Sequence, residues 1–153
     1  MSREPLPQQQ PLLGALCRRL VRAIAEETKA ELAAQGFGDV RPAHNAVFAL
    51  VAGGVGRVTD MAAALGMTKQ AVTLMVDHLE AGGYLKRAPD PDDGRAKVVR
   101  LSRRGRAAAA VSAQTAAGLD RRWEQTIGRR RLDECKAALA ELVDAAAGTA
   151  PRQ

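Results

Sequence analysis

Residues 60–81 read DMAAALGMTKQAVTLMVDHLEA, and the punctuation of this stretch decides the fold. Asp60 to Leu65 is a short helical segment, with Thr59 as its expected N-cap and Asp60 in the first turn, where the helix dipole favours an acid. Gly66 breaks it. Thr68 is a second N-cap, and the longer segment it opens, to about Ala81, sets Ala71, Val72, Met75, Val76 and Leu79 on one face. Gly82-Gly83 ends that segment. A short helix joined to a longer one through a few residues including Gly is the helix-turn-helix plan. In that plan the second helix enters the DNA major groove, which is wide enough for it and where base edges are distinguishable. Thr68, Lys69, Gln70 and Thr73 lie off the apolar face. Gln70 suits a bidentate contact to adenine, Lys69 a guanine edge or phosphate, and Thr68 and Thr73 phosphate. His78, further along, is placed nearer the backbone than the bases. Each of these residues alone is ordinary for a capped surface helix, and only the context raises them above that.

The context lies downstream. Tyr84–Arg87 and Lys97–Leu101 are short β-like runs around Asp90-Pro91-Asp92-Asp93-Gly94, which predicts a hairpin. From Lys86 to Arg106 there are eight basic residues and three acids, a surplus of five out of a net charge of +6 for the chain. The charge is therefore a local patch suited to an acidic partner, nucleic acid first and an anionic membrane second. The aspartates are turn-formers that bond to nearby backbone N–H groups. The spacing Asp93-x-Arg95 lets a carboxylate brace a guanidinium. Arg95 at a hairpin tip then suits the narrow minor groove, with Lys97 beside it. An isolated D-x-R is more simply a solvated loop.

Upstream, residues 1–10 read as a flexible arm. Pro11 to about Ala34 repeats apolar residues at helical spacing: Leu13, Leu16/Cys17, Leu20, Ile24, Thr28 and Leu32. Arg41-Pro42 opens a second helix that stops at Gly53-Gly54. Ser102 caps an Ala-rich helix to about Thr126, and after Gly128 a last helix carries Leu132, Cys135, Leu139, Leu142 and Val143. The fold class expected is mainly α with a small β-hairpin wing. With 153 residues and 46% apolar content the chain supports one core. Two cysteines make neither a disulfide framework nor a metal cage, and His44 and His78 lack further ligands at metal spacing. No cofactor is expected. No stretch has the length of a membrane span or the pattern of a signal peptide, so the cytoplasm is the expected location. No paired carboxylates, nucleophile–base pair or phosphate loop points to an enzyme.

Residues 57–105, from RVTDMAAALGMTKQAV through the helix exit LEAGGYLKR to DPDDGRAKVVRLSRRG, resemble the winged helix-turn-helix core of MarR-family transcriptional regulators. Ser102 stands where that family more often has Thr, and Leu74 where many members carry a polar or basic residue. The resemblance implies a homodimeric regulator of double-stranded DNA, often a repressor, bound to a pseudo-palindromic operator and relieved in some members by a small ligand. It divides the chain into an arm (1–10), one domain (11–147) and a frayed tail (148–153). Within the domain, 41–105 is the DNA-binding core, and 11–40 and 106–147 are dimerisation helices. It gives Lys69, Gln70 and Thr73 the base-reading role and Arg95 the minor-groove role, with Asp93 as its brace. Arg57, on a short strand before the third helix, supports the wing or touches phosphate.

Two other readings stand beside it. One is a thiol-based redox sensor using Cys17, since a branch of the same family carries a reactive cysteine in its first helix. Against it, Cys17 and Cys135 both fall on apolar faces, where Cys packs as a small hydrophobe. The other is an architectural DNA binder without sequence preference. Trp123 reads as packing. Arg129-Arg130-Arg131 opens the last helix against its dipole, which predicts solvation or acids across a dimer.

Overall fold

The computed structural model describes residues 11–91, 93, 94 and 96–148. The expected arm, residues 149–153 of the expected tail, and Asp92 and Arg95 in the hairpin turn lie outside the described residues. Those described form six helices and a two-stranded antiparallel hairpin, in the order α1 (Leu13–Ala34), α2 (His44–Ala52), α3 (Val58–Leu65), α4 (Lys69–Ala81), β1 (Leu85–Pro89), β2 (Lys97–Leu101), α5 (Arg103–Ile127) and α6 (Arg129–Gly148). They divide into two compact units, one running to Thr115 and the other starting at Ala116. Among the described residues no helix is long and apolar enough to cross a membrane.

The first unit is built around the α3–α4 pair. Gly66 takes φ +61°, the left-handed region that costs glycine least, and the N–H groups of Gly66 and Met67 donate to Ala63 and Ala62. This double closure stops α3 and starts α4 two residues later. Thr68 caps α4 as the sequence predicts, its Oγ1 accepting from the Ala71 N–H at 3.2 Å. Thr59 does not cap α3. That helix begins one residue earlier, at Val58, with Arg57 at the cap position and no side-chain cap bond. The Thr59 hydroxyl donates instead to Asp60 Oδ1 at 3.4 Å. Val72, Val76 and Leu79 of α4 are buried in one core with Val47 and Phe48 of α2, Met61 and Ala62 of α3, and Leu85 and Val99 of the hairpin.

The hairpin pairs Leu85 with Leu101 through to Pro89 with Lys97. The short strand expected before α3 is reduced to one bond, from the Val99 N–H to the Gly56 carbonyl at 2.8 Å. A Cβ on Gly56 would stand 3.0 Å from the Val98 Cβ, so a larger residue here would press on the hairpin. Tyr84 lies outside β1. Its ring is fully buried between the end of α4 and the start of the hairpin. Its carbonyl accepts from the Ser102 N–H at 2.9 Å. Ser102 in turn caps α5, accepting from the Gly105 N–H at 2.9 Å. The Tyr84 hydroxyl donates a short hydrogen bond to Asp39 Oδ1 and accepts one from Arg104 Nη2 at 2.9 Å. The Arg104 guanidinium also lies 4.5 Å from the centroid of the Tyr84 ring.

Only the C-terminal half of α1 is buried, at Thr28 and Leu32. Leu13, Leu16, Leu20 and Val21 are exposed. In the second unit Gly128, at φ +82°, separates the end of α5 from α6. Leu119 and Leu132 are buried, and Lys136 Nζ meets Asp120 Oδ2 at 2.5 Å. The basic start of α6 finds its acids one turn along its own helix, in Arg129–Asp133 and Arg130–Glu134 pairs, so compensation needs no partner chain. Cys17 is half-buried and Cys135 exposed. The packing role read from the apolar face of Cys135 is therefore not made within the chain.

Two stability predictions follow from the Tyr84 junction. A Cβ at position 105 would come within 1.9 Å of the Tyr84 carbonyl oxygen. Gly105→Ala should therefore destabilise the fold by about 1–3 kcal/mol, read as a lower urea midpoint with an unchanged slope. Asp39 is held below the usual carboxylate range, first by the Tyr84 hydrogen bond and also by Arg104. A lowered folded pKa contributes stability that is present above the unfolded value and is lost as pH falls through the folded one. Tyr84→Phe should cost about 1 kcal/mol at neutral pH. The gap from wild type should close as the pH is taken down through the carboxylate range.

Candidate nucleic-acid interface

Of the residues singled out on α4, Thr68, Lys69, Gln70 and Thr73 stand near its start and His78 in its last turn. Thr68, Lys69 and Gln70 are exposed and Thr73 is half-buried. They stand at the N-terminal end of α4, the end of a helix that favours anions. The Thr73 hydroxyl donates to the Lys69 carbonyl at 2.8 Å, so donation to a phosphate requires it to rotate away. His78 is exposed two turns later, with its ring 5.0 Å from that of His44. His44 is 3% exposed and accepts the Arg41 N–H on Nδ1 at 3.1 Å, which requires the neutral ring with its proton on Nε2. Burial, then the neighbouring His78, holds its pKa below that of a free histidine.

The wing is fixed by ion pairs that span the unit. Arg57 reaches Asp90 Oδ2 with both Nε (2.7 Å) and Nη2 (2.6 Å). Asp90 is buried, and its own N–H donates to the Ala96 carbonyl at 3.0 Å, closing the turn. One aspartate therefore shapes the turn and clamps it to the start of α3. The guanidinium of Arg57 is committed to that clamp while about half of its side chain stays exposed. Asp93 accepts the Ala96 N–H on its carbonyl at 2.9 Å. Its expected partner Arg95 lies outside the described residues. Lys97 is exposed at the start of β2.

A second pairing ties the wing to α4. Arg87 of β1 bonds to Asp77 at 2.5 Å and, through a shorter contact, to Glu80, whose other oxygen accepts the Arg87 N–H at 3.2 Å. Arg87 and Arg104 therefore spend their charge inside the protein, and the local surplus read from the sequence is smaller at the surface. Lys86, Lys97, Arg100, Arg103 and Arg106 remain exposed, with no carboxylate partner among the described residues. An open cleft of about 730 Å³ lies between the end of α2, the start of α3 and the hairpin. Its lining includes Arg57, Lys86, Arg100 and Arg106 above an apolar floor of Val51, Val55 and Val98. Sequence reasoning missed the Arg57–Asp90, Arg87–Asp77/Glu80 and Tyr84–Asp39–Arg104 contacts. Asp-Pro at the turn was visible, but nothing local named Arg57 as its partner.

A helix pair closed at a left-handed glycine, followed by a hairpin clamped to both helices, defines a winged helix-turn-helix protein. Residues 41–96 match the model of the MarR family. Across most of its length the chain is similar to the transcriptional repressor CouR, solved bound to a 23-mer DNA duplex, at 27% identity and TM-score 0.70 over 86% of this chain and 92% of that one. It shares its fold with the reduced form of MarR from E. coli, at 20% identity and TM-score 0.70 over 88% and 98% of the two chains. The same holds for a MarR-family regulator from Rhodococcus sp. RHA1, at 21% identity and TM-score 0.69 over 88% and 97%. No curated protein matches. The chain has a winged helix-turn-helix fold and is similar to the MarR family over residues 41–96.

Removing the clamp should loosen the wing selectively. Asp90→Ala should speed amide exchange in β1, β2 and the turn between them while leaving α1 and α6 unchanged, as hydrogen-exchange mass spectrometry would read. Because His44 has a lowered pKa, the unfolded chain binds the extra proton first, so stability falls as pH drops through about 6.5. His44→Gln should flatten that part of the profile.

Proposed function

We propose that this protein is a sequence-specific regulator of transcription that binds double-stranded DNA as a homodimer, acting as a repressor at a pseudo-palindromic operator. The observation that carries the reading is the exposed N-terminal turn of α4, with Thr68, Lys69, Gln70 and Thr73, held in fixed register with a basic wing by Arg87 and Arg57. In this reading α4 enters the major groove and Lys69, Gln70 and Thr73 meet base edges and phosphates. Arg95, braced by Asp93, enters the minor groove, Lys97 lies along the backbone, Arg57 supports the wing through Asp90, and His78 meets backbone at the far end of α4. The likeness to CouR, a repressor solved on DNA, supports the partner and the sign of regulation.

The dimer is supported by apolar surface. Leu12, Leu13, Leu16, Leu20 and Val21 at the start of the chain's first helix, and Leu142 and Val143 on α6, are all exposed. Exposed apolar residues clustered along a helix in this way mark an interface. Two-fold symmetry then sets half-sites about 10 base pairs apart. Release by a small molecule is supported by the cleft beside the wing, whose cations and apolar floor suit an amphipathic anion.

The test is binding to the DNA upstream of the protein's own gene, with competitor DNA and a salt titration. Wild type should prefer that fragment over random duplex by at least about 1,000-fold at physiological salt, and Arg95→Ala should weaken binding. Lys69→Ala should lower the salt slope by about one if Lys69 meets phosphate. Equal affinity for random DNA would sink the regulator and leave the architectural reading. Light scattering should give a dimer that Leu16→Asp/Leu20→Asp converts to monomer.

A further inference from the structure

The solvent-facing stripe of α4 is unusual in what it presents. Gln70, Leu74 and Asp77 follow at i, i+4 and i+7, so they share one face, opposite the buried Val72, Val76 and Leu79. Leu74 is 66% exposed in the middle of that stripe, and Met67, just ahead of the Thr68 cap, is 41% exposed. The Asp77 carboxylate is occupied by Arg87. α4 contains no arginine, the side chain that most often reads guanine. The helix therefore offers its target an amide, followed one turn later by a branched apolar side chain.

We infer that Leu74 is a specificity-determining residue that packs on the C5-methyl group of a thymine, and that α4 reads a half-site of A·T pairs. The major-groove edge of an A·T pair carries the adenine N7 and N6, which a glutamine amide matches with two hydrogen bonds, and the thymine methyl, which only an apolar side chain matches. A G·C pair offers no methyl to Leu74. An exposed leucine costs free energy in the unbound protein, and packing on a methyl recovers it. Lys69 and Thr73 flank the stripe and hold the helix on the phosphates, so the apolar contact is made at a depth that the backbone contacts set. The inference rests on the DNA-binding reading above and adds which bases α4 selects.

The experiment replaces each thymine of the bound half-site in turn with deoxyuridine, which removes only the methyl group. Wild type, Leu74→Ala and Gln70→Ala are measured on the thymine and uracil duplexes. Wild type should lose about fourfold in affinity at one or two thymines per half-site, the equivalent of ~0.8 kcal/mol for one buried methyl. Leu74→Ala should bind the thymine duplex more weakly and show no thymine–uracil difference at those positions. Gln70→Ala should keep that difference. Because Leu74 is exposed, Leu74→Ala should melt as wild type does, which separates loss of contact from loss of fold. Wild type binding every uracil duplex as tightly as the thymine one, while still preferring the operator over random DNA, would overturn the inference and leave the regulator intact. The same holds if Leu74→Ala retains the wild-type ratio. Failure to prefer the operator at all removes the underlying reading and this inference with it.

Discussion

The root of the wing is joined to the end of α4 and the start of α5 through Tyr84. Its ring closes the core where α4 ends and the hairpin begins, with Phe37 and Phe48 at 6.2 and 6.0 Å. Its hydroxyl joins Asp39, from the segment before α2, to Arg104, from the first turn of α5. Its carbonyl carries the Ser102 N–H, and Gly105 is packed against that carbonyl so closely that no side chain fits. One residue thus joins the exit of α4, the root of the wing and the start of the longest helix. A buried phenol must satisfy its hydroxyl, and here the partners that satisfy it come from two other elements. The polar requirement therefore enforces the tertiary arrangement.

The charges follow a division of labour. The chain carries 23 Lys and Arg against 17 Asp and Glu, yet the surplus is not spread evenly or used in one way. Arg57, Arg87 and Arg104 are turned to the protein, Arg57 and Arg104 meeting carboxylates far away in sequence and Arg87 two acids of the preceding helix. Lys86, Lys97, Arg100, Arg103 and Arg106 are left facing outward. Exposed ion pairs contribute little individually, but Arg57 grips an aspartate that is itself buried, and Arg87 holds two acids of α4 at once. These pairs orient a thin two-stranded sheet that could not hold its own position, since an isolated hairpin is marginal in water. The acids near the wing therefore act through geometry, positioning the hairpin while the cations around it stay exposed.

The same economy explains why α4 can display Leu74. The helix is anchored on one side by Val72, Val76 and Leu79 and toward its C-terminal end by the Arg87 pairs with Asp77 and Glu80, so the outer position of Leu74 is free of structural duties. A side chain there answers only to what lies outside the protein. Along α1 the situation differs. Its exposed apolar residues form a run of several turns, a larger surface of the kind that a second protein chain covers.

The sequence by itself determined what is made within a few residues. Gly66 as the turn, Thr68 and Ser102 as caps, Gly82-Gly83 and Gly128 as stops, and the Pro/Asp/Gly hairpin were all legible, because caps, left-handed glycines and tight turns are satisfied by hydrogen bonds spanning two to five positions. The helix-turn-helix followed from them, and with it the exposed start of α4. Where local preference was weak, the reading slipped. Thr59 looked like a cap, but α3 extends back to Val58, and a strand before it dwindles to the Gly56–Val99 bond. Only the tertiary structure decided that Asp90 belongs to Arg57, 33 positions away, that Tyr84 belongs to Asp39, 45 positions away, and that Arg87 turns inward. It also decided that His44 is buried and Cys135 is not. A carboxylate chooses among many nearby cations by the angle at which its element packs. That angle is set by the shape of the whole core, which no window of sequence contains.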